Sequence, residues 1–228
     1  MENSPSKSND NAGHRQRLRE RFCRSGLDGM QDYEAIELLL SYAIPRRDVK
    51  PLAKTLLREY GSIAGLMDAP IYSLVDKHGL GNSSAVLIRL VREICSAYLE
   101  QRARDADLMD STRDAEDFMR MKLGGRPQET LMTIFINSRN RIIGYDLESG
   151  TVDQTVVYVR ELARRAVLCN ATGVILAHNH PSGLCVPSPE DLRMTEAVRT
   201  ALETFGIKLL GHFLVTPSEC RRICRNPV

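Results

Sequence analysis

Residues 178–191 read HNHPSGLCVPSPED, a short stretch that gathers two imidazoles, a hydroxyl and a carboxylate. His178 and His180 close the apolar run GVILAHNH. In an extended strand alternate side chains share a face, so both imidazoles point one way and Asn179 the other. Two imidazoles side by side form half of a tetrahedral zinc site. Pro181, Ser182 and Gly183 then turn the chain, and Ser188-Pro189 suits an N-cap followed by a first helical residue. Asp191 falls at the third helical position, where its carboxylate can reach back and add an oxygen ligand, leaving a fourth position for water. That open shell is of the catalytic type, whereas structural zinc closes with four protein ligands, usually including Cys. Zn2+ is the cofactor this pattern predicts.

Plainer explanations exist for each residue. A single histidine near a strand end, such as His14, His78 or His212, is ordinarily a surface or hydrogen-bonded residue. Ser188 followed three positions on by Asp191 is also a capping-box-like pattern that needs no metal, although a cap and a ligand are compatible roles. The letters HNH do not indicate an HNH nuclease, whose residues are spread over a ββα unit.

The elements that must position this stretch are legible from hydrophobic period. Residues 1–13 are polar and expected to be a disordered tail. From 14 to 105 the apolar spacing is helical, as in Leu52, Leu56 and Leu57 after Pro51, and predicts a small all-α domain. A polar linker at 106–110 precedes a mixed α/β domain over 111–228. There a short helix from Arg113 to Lys122 leads into strand-like runs at 130–137 and 141–147, read as a hairpin. A helix from Glu161 to Cys169, a buried strand at 173–178, a helix from Pro189 to Phe205 and a last strand at 208–215 follow.

Composition sets the frame for this. The 228 residues are 43% hydrophobic, enough for one large or two small cores. No run approaches the roughly 18 apolar residues of a membrane span, and the N-terminus has no signal-peptide core, so a cytoplasmic protein without membrane partners is expected. The six cysteines lack paired CxxC spacing and read as free thiols. A net charge of +2 gives nucleic-acid binding no general support.

HNHPSGLCVPSPED resembles the JAMM pattern of JAB1/MPN metalloprotease domains, with His178, His180, Ser188 and Asp191 in register. Together with GTVDQTVVYVRELARRAVLCNATGVILA before it and PSPEDLRMTEAV within and beyond it, it is similar to the RadC family over most of 111–215. The helical region looks like that family's N-terminal part more loosely. The resemblance implies a JAB1/MPN-like β-sheet flanked by helices, one zinc held by His178, His180 and Asp191, and Ser188 helping to stabilise an oxyanion. It also implies a DNA-repair setting, and relatives in the wider superfamily that cleave isopeptide bonds. Two positions depart from the family's habit. Cys185 stands where an acidic residue is common, and is read as a loop thiol in preference to a fourth ligand. Gly211 precedes His212 where Asp-His is usual, which removes an expected support for the ligands.

A zinc hydrolase needs a carboxylate to move protons between water and leaving amine. Glu161 matches the Arg-Glu pair of the RadC pattern and is the first choice; Glu129, opening the first strand run, is the second. Either can instead be an ordinary helix-start or solvated acid. In the helical domain HGLGNSSA (78–85) fits a helix-hairpin-helix, with Gly79 and Gly81 allowing backbone amides to meet a DNA phosphate. The expected function is a zinc-dependent peptidase or isopeptidase, DNA-associated through non-specific contacts. The alternative is a non-catalytic DNA-binding adaptor with a structural or vestigial zinc. A metal-dependent nuclease lacks its acidic cluster. Neither the substrate nor the oligomeric state is encoded legibly.

Overall fold

A computed structural model describes residues 7–78, 80–106, 113–149 and 155–224. The chain divides into two units, residues 1–94 and 95–228.

The first unit is helical: α1 (Lys7–Ser25), α2 (Asp32–Ala43), α3 (Lys50–Tyr60), α4 (Ile63–Asp68), α5 (Ile71–His78) and the first turns of α6 (Asn82–Asp105). Helix α1 begins seven residues before the expected start of order at His14. No proline follows Pro5 there, so nothing stops the helix from propagating back through the polar stretch. Arg15 is half-buried. Its guanidinium donates to the carbonyls of Ile44 (2.9 Å), Arg47 (2.5 Å) and Pro45, tying α1 to the chain that leaves α2. The core gathers the helical stripe residues, among them Ile36, Leu40, Leu52, Leu56, Leu66 and Ile88.

The second unit has the expected mixed α/β character. After the tail of α6 come α7 (Arg113–Leu123), β1 (Thr130–Ile136), β2 (Ile142–Ser149), α8 (Thr155–Leu168), β3 (Gly173–Asn179), α9 (Pro189–Glu203), β4 (Lys208–Val215) and β5 (Cys220–Cys224). The sheet runs β2-β1-β3-β4-β5; only the β3–β4 pair is parallel, joined through α9. The hairpin of β1 and β2 forms as expected, its turn pinned by Asn137 Oδ1, which accepts from the amides of Arg139 (2.9 Å) and Arg141 (3.1 Å). Strand β3 is buried along its whole length because both faces are covered. Ile175 and Ala177 face a core with Phe118 and Met119 of α7, while Val174 and Leu176 face one with Leu162 of α8 and Val198 and Leu202 of α9.

The two compact units divide within α6, between Ile94 and Cys95; most of the linker expected over 106–110 lies outside the described residues. The last turns of α6 belong with the sheet for a physical reason. Ala103 is fully buried in the α7 core, Glu100 pairs with Lys122 (3.3 Å) and accepts from Tyr145 Oη (3.2 Å), and Arg102 pairs with Asp114 (2.9 Å). Among the described residues no helix is long and apolar enough to cross a membrane.

Candidate metal centre

Strand alternation at the end of β3 sends His178 toward α9 and Asn179 to the opposite side. Both are buried. Asn179 acts as a clamp: its Oδ1 accepts from Thr130 N (2.9 Å), and its Nδ2 donates to the carbonyls of Arg126 (3.1 Å) and Gln128 (3.2 Å). Beyond β3 the chain turns at Gly183, whose φ of +77° suits glycine. It then enters α9 through a capping box. Ser188 Oγ accepts from Asp191 N (3.1 Å), and Asp191 Oδ2 accepts from both Ser188 N and Ser188 Oγ at 2.7 Å.

This cap engages Oδ2, which also lies 3.6 Å from His180 Nε2, and leaves Oδ1 facing His178. His178 Nε2 lies 3.1 Å from Asp191 Oδ1 and 3.2 Å from His180 Nε2. The three residues can each offer a ligand atom within 4.8 Å of the others, and no other such group of His, Cys, Asp and Glu occurs among the described residues. Tetrahedral zinc with bonds of about 2.0–2.1 Å has ligand–ligand edges of about 3.3–3.4 Å, so the two edges at His178 and the N, N, O donor set fit that ion, with the His180–Asp191 edge longer at 3.6 Å. Burial alone would raise the Asp191 carboxyl, but the His178 ring and the Ser188 donors outweigh it and hold the group well below the usual carboxylate range.

Two further buried residues complete the cluster. His178 Nδ1 is 2.8 Å from His212 Nε2 on β4, and His212 Nδ1 is 2.6 Å from Thr195 Oγ1 on α9. Thr195 Oγ1 donates to the Asp191 carbonyl at 2.5 Å. His212 is fully buried, and burial, followed by the neighbouring His178, pushes its pKa down to about 3. His180 Nδ1 lies 3.0 Å from the Leu184 carbonyl.

Residues 109–223 match the RadC-like JAB domain, and residues 10–86 match the UPF0758 N-terminal domain. The chain belongs to the RadC family. Similar members include a UPF0758 protein of Fusobacterium nucleatum, 37% identical over 218 residues, which is 92% of this chain and 94% of that protein. UPF0758 proteins of Burkholderia mallei and Burkholderia pseudomallei are 37% identical over 202 residues, covering 88% of this chain and 73% of each of theirs.

Against the RadC pattern, several residues find different surroundings from those expected. Reading His212 as an ordinary histidine missed its contact with a candidate ligand. The support expected to be lost at Gly211 comes from His212 itself, while a Cβ at Gly211 would meet the Arg222 side chain, 3.0 Å from its Nε. Period-2 alternation in KLLGHFLV was the available signal, because it places His212 on the face shared with Leu214 and, across the parallel pairing, with Leu176 and His178. Thr195, one helical turn after Asp191, was legible from the i, i+4 rule. Cys185 is not in the ligand group; its Sγ contacts the Leu214 carbonyl at 3.8 Å, and burial followed by Glu219 raises its pKa.

Glu161 is not brought to the candidate ligands. It is exposed in an ion pair with Arg164, whose hydrogen bonds lower its pKa. Glu129 is exposed beside the β3 end, between the two Asn179 contacts at Gln128 and Thr130. Glu148 on β2 was not considered from sequence. It lies in one transverse row with Leu131 and His178, and burial, then Asp146 and Glu161, raises its pKa. In the helical unit α5 and α6 flank the expected turn. Gly79 lies outside the described residues, and the Gly81 carbonyl accepts from Ser84 N (2.9 Å) and Ala85 N (3.3 Å).

Proposed function

We propose that the chain is a zinc-dependent hydrolase of peptide or isopeptide bonds. The observation that carries this reading is the convergence of His178 Nε2, His180 Nε2 and the Asp191 carboxylate, whose Oδ1 faces His178 and whose Oδ2, anchored by Ser188, is the oxygen nearer His180. A bound zinc would supply Lewis acidity and lower the pKa of water at that point. His178, His180 and Asp191 would hold it, with the Asn179 clamp and the Ser188–Asp191 cap fixing the two chain segments that carry them.

Ser188 spends its hydroxyl proton on Asp191 Oδ2. Stabilising a substrate oxyanion requires that proton to turn outward, and the Ser188 amide would then remain as a donor to Asp191. For the base, Glu129 is favoured over Glu161. Glu129 directly precedes β1, whose Leu131 pairs with His178, and the clamp fixes the backbone on either side of it. Glu161 is kept acidic by Arg164, which opposes proton uptake near neutral pH. The test is metal analysis of purified protein combined with a screen against peptide and isopeptide libraries. Zinc near one per chain with cleavage supports the reading; zinc-loaded protein inert throughout the screen counts against hydrolysis.

A second reading, a DNA-associated adaptor, draws on the α5–α6 turn. Among the described residues, apart from its neighbours in the chain, no heavy atom lies within 4 Å of a Cβ placed on Gly81, so the backbone there is open to approach. Non-specific DNA is the partner it proposes, and a salt-dependent duplex titration is its test.

A further inference from the structure

We propose that Thr195 and His212 form a one-way hydrogen-bonded relay that sets which nitrogen of His178 is presented to the metal. The inference deepens the metal-centre reading and rests on it for its functional meaning, but its direction follows from the protein alone.

The direction is set at the Asp191 carbonyl. A backbone carbonyl can only accept, so the 2.5 Å contact uses the single Thr195 hydroxyl proton. Thr195 Oγ1 is left as an acceptor toward His212, and His212 Nδ1, 2.6 Å away, must therefore carry a proton. A neutral imidazole has one N–H and one lone pair, so His212 Nε2 presents the lone pair. The proton in the 2.8 Å contact then belongs to His178 Nδ1, so Nε2 is the nitrogen turned toward Asp191 Oδ1 and His180 Nε2, the one that gives its lone pair when a metal stands between them. His180 reaches the same state in one step, because the Leu184 carbonyl takes its Nδ1–H. Two backbone carbonyls thus put both histidines in the tautomer a metal requires, one directly and one through two side chains.

Burial makes the relay specific. Thr195 and His212 are about 1% and 0% exposed, so water does not offer substitute partners, and reversing a link between the Asp191 carbonyl and His178 Nδ1 would set donor against donor or leave two lone pairs facing with no metal site between them. The relay also ties the ligands together mechanically. It begins on the backbone of Asp191 and ends on His178, so α9 and β3 are braced through β4. His212 and Thr195 are positioning residues: neither belongs to the candidate ligand group.

The test uses the full chain. Long-range 1H–15N correlation spectra of the metal-free protein should show His178 and His212 both protonated at Nδ1. Competition titration with zinc should show Thr195→Val, which swaps the hydroxyl for a methyl, weakening binding on the order of 10-fold, and His212→Leu on the order of 10–100-fold. Thr195→Ser restores the hydroxyl and should return affinity and tautomers to wild type, an outcome a merely space-filling role would not produce. Should His212→Leu fail to fold, the Thr195 pair still decides. His212 protonated at Nε2, or Thr195→Val binding zinc like wild type with unchanged tautomers, overturns the relay. Wild-type protein that shows the expected tautomers but takes up no zinc supports the relay and removes the metal reading.

Discussion

The segment leading from β3 into α9 and the turn leading from α5 into α6 are both short joints ahead of a helix start, and both carry glycine. They differ in what surrounds their polar groups. At the first, Ser188 and Asp191 satisfy each other within a capping box, and the buried Asp191 carboxylate faces two imidazoles, Oδ1 toward His178 and Oδ2 toward His180. At the second, the Gly81 carbonyl receives Ser84 N and Ala85 N, an ordinary helix start with open space beside it. Buried polar groups are costly unless each donor meets an acceptor, so a convergent buried set with its hydrogen bonds accounted for specifies what can enter. An open backbone turn tolerates a phosphate or water alike. The same kind of local pattern therefore carries much more functional weight in the first place than in the second.

That contrast can be broken most directly by removing the imidazoles. His178→Ala with His180→Ala should lose the bound zinc completely while the fold, read by circular dichroism, persists; elemental analysis showing full zinc in the double variant would refute the site. Next in size is the base. Glu129→Gln should keep the metal and reduce hydrolysis by about 10²–10⁴-fold, whereas Glu161→Gln should leave the rate near wild type. The reverse pattern would restore Glu161, and a loss confined to Glu148→Gln would move the base to β2. Asn179→Ala should destabilise the sheet unit by roughly 2–3 kcal/mol, since three hydrogen bonds vanish and buried groups lose their partner. Chemical denaturation measures this, and a loss below about 0.5 kcal/mol would show that the clamp is dispensable.

Ser188→Ala separates cap from chemistry at a smaller scale. It should cost about 1 kcal/mol through the missing cap and lower the hydrolytic rate further if the hydroxyl serves the oxyanion. A stability loss with an unchanged rate would leave Ser188 as a cap alone. The smallest effect is expected at the helical turn. DNA binding by the full chain should be weak, sequence-indifferent and steeply weakened by salt, and Gly79→Pro with Gly81→Pro should reduce it several-fold. No binding at low salt would leave the α5–α6 turn a plain helix connection.

Local sequence determined a good deal of this protein. Alternation in GVILAHNH set both the strand and the side to which His178 turns, and Ser188-Pro189 with Asp191 marked the start of α9 because capping chemistry acts over three residues. Tertiary structure decided what local rules do not reach. His212, 34 positions from His178, and the Asn179 clamp, 49 positions from Thr130, depend on strand pairings that no local pattern reports. The division of α6 between two units was hidden for a related reason: helical periodicity continues unbroken while the packing partner changes from the helical core to Lys122, Asp114 and Tyr145. Glu161 fitted a family pattern by its place in the chain, but an arginine one helical turn away took its carboxylate, and only the folded arrangement put Glu129 beside the histidines' strand instead. Short-range chemistry thus chose the candidate ligands, and long-range burial chose the groups that hold them in place.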